Sequence, residues 1–202
     1  MADRPLILAS GSPYRRKMLQ AAGLAFRVVP ADVDEAALKR GLASQTPQPD
    51  PAAVAGALAR AKARPVSVRH ASATVIGADQ VLALDGELLD KPGDVAAARA
   101  QLQRLRGKTH RLISAVVVAE AGQVLWAHVD EAVLTMRSFS PEFLERYLAE
   151  AGPDLCQIVG AYEIEGLGIQ LFERVEGGHF TIIGLPLVPL LAELRSRGVI
   201  AA

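Results

Sequence analysis

Cysteine is almost missing from this sequence: Cys156 stands alone among 202 residues. A single thiol excludes an intrachain disulfide framework and a Cys₄ zinc site, and it suits a reducing compartment. An excess of either charge is missing too. Twenty-two basic residues meet twenty-two acidic ones, for a net charge of zero, which removes the electrostatic case for broad binding to nucleic acid or anionic membrane. The longest apolar stretch, Thr181–Ala192, holds Pro186 and Pro189 and falls short of the ~20 residues that span a bilayer. The opening Met-Ala-Asp-Arg-Pro lacks the basic patch and apolar core of a secretory signal. Repeats and low-complexity tracts are absent. The expectation is a soluble, cytoplasmic protein that engages neither nucleic acid nor membrane.

What is present is the composition of a globular protein, 50% hydrophobic and 22% charged, not of a disordered one. The length sits near the ~100–200 residues of one domain, so residues 1–202 are read as a single domain. Such a chain can bury about 70% of its unfolded surface.

Strand and helix patterns alternate. Leu6–Ala9 is a short apolar run before a helix that ends near Gly23, and Arg27–Val29 reads as a strand. Residues 41–50 have loop composition, and Ala52–Arg64 is alanine-rich and helical, because alanine loses no side-chain entropy in a helix. Thr74–Leu84 predicts a strand. Asp94 predicts the N-cap of a helix running to Leu105, closed by Gly107. His110–Ala119 and Val124–Met136 are β-branched runs around Ala121-Gly122, a hairpin pattern. Ser140-Pro141 opens a further helix with proline at its first position. Glycines 160, 166, 168, 177 and 178 punctuate what read as short strands, and Pro186–Arg197 predicts a closing helix stopped at Gly198. Crossover helices together with a hairpin imply an α/β fold with a mixed central sheet and flanking helices.

Chemistry concentrates at Ser10-Gly11-Ser12-Pro13-Tyr14-Arg15-Arg16-Lys17, where a strand runs into a helix start. Three cations in a first turn oppose the helix dipole, whose positive end lies there. Either all three splay into solvent or something negative compensates. Unpaired helix N–H groups and a glycine that permits close approach together describe a phosphate cradle. Asp79 and Gln80 interrupt the apolar strand 74–84. A charge inside such a run is costly unless it is paired or bound to metal. Asp79 could therefore hold a divalent ion or take a proton from water, the alternative being a strand-end aspartate satisfied by turn N–H groups. Lys91-Pro92 presents another cation on a turn.

Other features carry less. Gly107-Lys108-Thr109 ends like a P-loop, but Leu102 occupies the first glycine position and a helix precedes it, whereas a P-loop follows a strand. Histidines 70, 110, 128 and 179 show no close metal-ligand spacing. Cys156 reads as a packing residue, and Gly166-Leu167-Gly168 as a tight backbone bend.

Ser10-x-Ser12-x-x-Arg15-Arg16, Val33-Asp34-Glu35, Gly77-Ala78-Asp79-Gln80-Val81, Lys91-Pro92 and Gly160-Ala161-Tyr162-Glu163-Ile164-Glu165-Gly166 occur in that order. The ordered set resembles the Maf family of nucleoside triphosphate pyrophosphatases, from Leu6 to about Leu194. The resemblance implies a mixed α/β fold related to the inosine triphosphatase group, with two lobes around a cleft. It also implies cleavage between the α and β phosphorus atoms to give monophosphate and pyrophosphate, with a divalent cation (Mg, Mn or Co). Dimers are frequent in the family, so a homodimer is expected.

A triphosphate needs cations around it before an anionic nucleophile can approach. By the resemblance, Ser10, Ser12 and Arg15 grip phosphates, and Lys91 neutralises charge near the scissile bond. Glu35 and Asp79 hold the metal, and Asp79 also accepts the proton of the attacking water. Lys62 either adds a phosphate contact or is a solvated helix lysine.

Tyr14, Gln80 and Glu165 fall at the positions expected to read the base. The pyrimidine branch of the family, acting on dTTP and UTP, carries arginine, threonine and glutamine at these places. The branch acting on 7-methyl-GTP carries tryptophan, glutamine and glutamate. Methylated guanine is cationic and is attracted to an aromatic face by ~0.5–2 kcal/mol. Its N1–H and N2–H₂ donors suit the two oxygens of Glu165. Tyr14 in place of tryptophan, and Gly160-Ala161-Tyr162 in place of Gly-Ser-Phe, depart from that branch. The expected activity is a house-cleaning pyrophosphatase for 7-methyl-GTP or other modified nucleotides. The alternatives are a dTTP/UTP pyrophosphatase and a non-catalytic, nucleotide-binding regulator of septum formation.

Overall fold

The computed structural model describes residues 4–201. Strand β1 (Leu6–Leu8) leads into helix α1 (Pro13–Ala21), followed by β2 (Arg27–Val28), α2 (Glu35–Ala43) and α3 (Pro51–Arg69). Then come β3 (Thr74–Leu84), β4 (Glu87–Leu89), α4 (Val95–Leu105) and the long strands β5 (Thr109–Glu120) and β6 (Gln123–Met136). Helix α5 (Pro141–Ala151), two 3₁₀ turns (Pro153–Gln157 and Leu167–Leu171), β7 (Phe172–Glu176), α6 (His179–Ile183) and α7 (Leu187–Ser196) complete the chain. The hydrogen-bonding order of the strands is β2-β1-β3-β5-β6-β7, with β4 also on β3. The β1–β2 and β1–β3 pairs are parallel, whereas β3–β4 and β6–β7 are antiparallel. The sheet is mixed, as expected.

Local rules explain most element boundaries. Ser12, Asp50, Asp94 and Ser140 cap α1, α3, α4 and α5, each accepting a hydrogen bond from the backbone N–H three residues on, the preferred chemistry of that position. Proline stands in the first turn of α1, α3 and α5. Asp85-Gly86 and Ala121-Gly122 all have positive φ, the geometry of two-residue hairpin turns. The first of these pairs Leu84 with Glu87, a hairpin the sequence reading did not foresee.

Three expectations change. Helix α3 runs to Arg69, through Pro65, rather than stopping at Arg64. Its last turn is held by tertiary contact: Val66 and Ser67 are buried, and Ser67 Oγ accepts from Gly122 N at 3.0 Å. Helix α2 occupies residues that carried no helical pattern, because none of its side chains is buried and it therefore needs no apolar stripe. Between Gly160 and Gly178 there is one short strand, β7, in place of several. The rest is 3₁₀ and bend, and Gly168 cannot carry a side chain, since a Cβ there would lie 2.5 Å from Glu163 O.

The chain groups into two compact units. Among the described residues, unit 1 comprises 4–80, 113–130 and 179–201, and unit 2 comprises 81–112 and 131–178. Strands β3, β5 and β6 contribute residues to both. In unit 1, Leu6, Leu8, Leu19, Ile76, Val116, Leu185, Leu190 and Leu194 form one buried cluster that joins α1 and α7 to the sheet. In unit 2, Leu102, Leu105, Phe139 and Tyr147 are fully buried. Among the described residues no helix is long and apolar enough to cross a membrane.

Candidate active site

Strand periodicity builds the site in unit 1. Successive side chains of a strand leave on opposite faces, so Gly77 and Asp79 share one face of β3, and Ala78 and Gln80 share the other. On the first face lies α3. A Cβ on Gly77 would stand 2.4 Å from Ala59 O and 2.7 Å from Ala63 Cβ, so only glycine lets the helix lie this close. That approach brings Lys62, on the same helix, to Asp79.

Lys62 Nζ is 2.5 Å from Asp79 Oδ1 and 2.8 Å from Glu35 Oε1. Asp79 is 6% exposed, and the Lys62 side chain is 12% exposed. Lys62 is therefore an inward, doubly paired ammonium and not a solvated helix lysine. Glu35, in the first turn of α2, is the open member of the trio, with its side chain 45% exposed. A charged strand residue thus meets the condition for burial, namely an opposite charge at hydrogen-bonding distance.

The three cations of the first turn of α1 divide. Arg16 and Lys17 are exposed, while Arg15 is buried at 7% exposure. Arg15 Nε donates to Gly184 O at 2.8 Å, and Nη1 donates to Ala78 O at 2.9 Å and to Ser10 Oγ at 3.1 Å. Burial pulls the guanidinium below its ordinary pKa, and the negative fields of Asp79 and Glu35 oppose that shift. Ser10 Oγ also accepts from Ser12 N, and Ser12 Oγ caps the helix at Arg15 N.

Ser10, Ser12 and Arg15 form one set of contacts and Glu35, Lys62 and Asp79 another, with the Arg15 guanidinium on the carbonyl of Ala78, the residue before Asp79. Tyr14 is half-buried on α1. Gln80 turns to the face of β3 opposite Asp79, where its amide meets Ser114 on β5 and the carbonyls of α6. Ser114, Thr181 and Gly184 are the partners that sequence reasoning missed. A serine inside the apolar run 112–119 was the available signal.

Lys91 and Glu165 belong to unit 2, and both are exposed. Lys91 follows β4. Glu165 sits in a bend anchored from below. Tyr147 Oη donates to Ala161 O at 3.0 Å, and Tyr162 Oη meets His110 Nε2 at 2.7 Å. The Tyr162 ring packs edge-on against Phe172. Gly160 has φ +85°, and a Cβ there would lie 2.4 Å from the Tyr162 ring. Gly107-Lys108 closes α4 and pairs with Asp85, which leaves no phosphate loop at that place. Cys156 is buried.

Fold and site together define a mixed α/β protein that gathers a guanidinium, an ammonium and two carboxylates around one strand and one helix start. The chain belongs to the family described as Maf-like protein, which it matches over residues 5–197. It is 52% identical over 195 residues to a 7-methyl-GTP pyrophosphatase of Mesorhizobium japonicum, covering 96% of this chain and 97% of that one. It is 54% identical over 192 residues to a nucleoside triphosphate pyrophosphatase of Paramagnetospirillum magneticum, covering 95% and 98%. A crystal structure of a dITP/XTP pyrophosphatase from Mycobacterium abscessus covers 96% of this chain and 95% of its own at TM-score 0.42 and 14% identity, a likeness too loose to carry an argument.

Proposed function

We propose that the protein hydrolyses the α–β phosphoanhydride of a nucleoside triphosphate, releasing nucleoside monophosphate and pyrophosphate, with 7-methyl-GTP or a related modified nucleotide as its substrate. The observation that carries the reading is the buried Asp79 carboxylate, paired to Lys62 and within the field of Arg15. A hydrolase of polyphosphate needs an acceptor for the proton of water beside cations for the phosphates, and these groups supply both. The names of relatives about half identical along nearly the whole chain support the same reaction.

In this reading Arg15, Ser10 and Ser12 hold phosphate oxygens, and Lys91 neutralises charge on the leaving pyrophosphate. Water adds across the anhydride and its proton passes to Asp79 Oδ. Lys62, hydrogen-bonded to Asp79, orients that carboxylate. Glu165 accepts from the N1–H and N2–H₂ edge of the guanine, and Tyr14 offers a ring to its cationic face.

A divalent cation fits the donor set. Two carboxylates converge on a single ammonium position, and no group of three or more His, Cys, Asp or Glu able to hold a metal occurs among the described residues. One or two carboxylates completed by substrate phosphates and water is the pattern of Mg²⁺, not of a closed zinc or calcium cage. Glu35 and Asp79 would hold the ion, which supplies charge neutralisation on the phosphates.

The whole chain acts as one catalytic domain in this reading. The single buried thiol supports a reducing, cytoplasmic compartment, and the family expectation of a homodimer is open to light scattering. The test is a panel of canonical and methylated triphosphates with detection of pyrophosphate. Release from 7-methyl-GTP well above that from UTP and dTTP is expected. Tight binding of triphosphates with no pyrophosphate formed would instead favour the non-catalytic regulator.

A further inference from the structure

Strands β2, β1 and β3 run in one direction. Ser10 and Ser12 follow the carboxyl end of β1, whereas Arg4 and Pro5 precede its amino end. At that amino end unit 1 holds a cavity of about 710 Å³, within the ~300–1,000 Å³ range of small-molecule sites. Leu24, Phe26, Leu191, Val199 and Ile200 supply its apolar wall. They pack against the buried cluster of unit 1 yet keep part of their surface open. Arg4, Arg27 and Arg195 also line the cavity, and among the described residues they are its only polar side chains. Arg4 is tied to Glu120, whose other oxygen accepts from Thr74 Oγ1 at 2.7 Å. Arg27 stands on β2, the outer strand of the sheet, and Arg195 in the last turn of α7. Both are exposed, and neither joins an ion pair or a side-chain hydrogen bond among the described residues. Two guanidinium charges thus border an apolar hollow with no carboxylate in its lining to answer them.

We propose that this cavity is a ligand site, separate from the phosphate cradle, for a small organic anion with an apolar body and a phosphate head. An arginine presents its N–H groups in a planar fork that matches phosphate oxygens. The apolar wall takes a body of chain or ring carbons out of water. Two unanswered cations match the charge of a phosphate monoester, which is close to −2 at neutral pH. The lining offers no hydroxyl, amide or carboxylate side chain to read a base or a sugar, so the body is not a nucleoside. The site therefore stands apart from nucleotide hydrolysis, and none of its three arginines bonds to Ser10, Arg15, Lys62 or Asp79.

The experiment titrates the full chain with hexyl phosphate, and separately with hexanol, which has no charge, and inorganic phosphate, which has no apolar body. Calorimetry gives the affinities, and amide resonances of ¹⁵N-labelled protein locate the site. Hexyl phosphate is expected to bind with Kd below about 1 mM, at least tenfold tighter than either comparator. The resonances of Phe26, Val199 and Ile200 should move, and those of Ser10, Ser12 and Arg15 should not. Arg27→Met and Arg195→Met should each weaken binding by about tenfold, the scale of one lost hydrogen bond to a charged group. Both side chains are exposed, so the melting temperature should hold. Should either variant fail to fold, the resonance map of the unaltered protein decides by itself. Absence of binding, equal affinity for hexanol, or unchanged affinity in both variants overturns the proposal. Movement confined to Ser10, Ser12 and Arg15 overturns it too, since the phosphate head would then sit in the cradle. Sedimentation with phosphatidylglycerol vesicles, without binding of hexyl phosphate, would assign the arginines to a membrane surface and overturn the small-molecule site.

Discussion

Lys62 and Asp79, seventeen residues apart in sequence, meet at 2.5 Å with both side chains withdrawn from solvent. Glu35 approaches the same ammonium from a third element. Removing one partner of a buried pair leaves the other uncompensated, a larger effect than removing both. Lys62→Met is therefore expected to destabilise the fold by about 3 kcal/mol, read by urea unfolding. Asp79→Asn keeps shape and hydrogen bonding but removes the proton acceptor. Pyrophosphate release should fall by ~10²–10⁴, the usual contribution of a general base, with circular dichroism unchanged. Residual activity within a few-fold of the unaltered enzyme would remove Asp79 from the mechanism.

Gly77 sets the distance between β3 and α3, and hence the reach of Lys62. Gly77→Ala introduces a Cβ where backbone atoms of Ala59 and Ala63 already stand. Such overpacking costs about 1–3 kcal/mol. Because the strain displaces α3, kcat should drop along with the melting temperature. A variant of unchanged melting temperature would mean that the close approach is not needed.

Glu165 is an exposed carboxylate on a bend whose underside is fixed by Tyr147, Tyr162 and His110. Glu165→Gln replaces one acceptor by a donor that faces the N–H groups of guanine. The kcat/KM for 7-methyl-GTP should fall by about tenfold or more relative to UTP, as expected for losing a hydrogen bond to a charged acceptor. Equal turnover of 7-methyl-GTP by the variant would show that the base is read elsewhere.

His110 is buried against Tyr162 and Phe172, and burial pushes its pKa down to about 4. Its Nδ1 is buried with no hydrogen-bond partner, so the ring is held neutral. A pKa lower in the folded state means that the unfolded chain binds the extra proton first. Stability is then complete above pH ~6.5, the unfolded value, and is lost as pH falls from there through the folded value. The full loss is about 3 kcal/mol. Urea unfolding between pH 4 and 8 should show this slope. His110→Gln, which can still bond to Tyr162 but does not titrate, should flatten it.

The sequence by itself determined the elements whose signals act over one turn or one strand. The caps Ser12, Asp94 and Ser140 and the full extent of β3 were legible, because a cap acts within three residues and strand alternation within two. It also marked Asp79, and Arg15, Arg16 and Lys17 as a group, as charges needing compensation. Tertiary packing decided the rest. Nothing local distinguishes Arg15 from Arg16 and Lys17, yet only Arg15 finds carbonyls from residues 78 and 184. Nothing in Ala61-Lys62-Ala63 says that its lysine turns inward, since that depends on how closely Gly77 lets α3 lie. Helix α2 has no buried face to announce it, and the amide of Gln80 is claimed by carbonyls a hundred residues further along the chain. Short-range hydrogen bonds and periodicity are written in neighbouring residues, whereas the partner of a buried polar group is settled only when distant segments pack together.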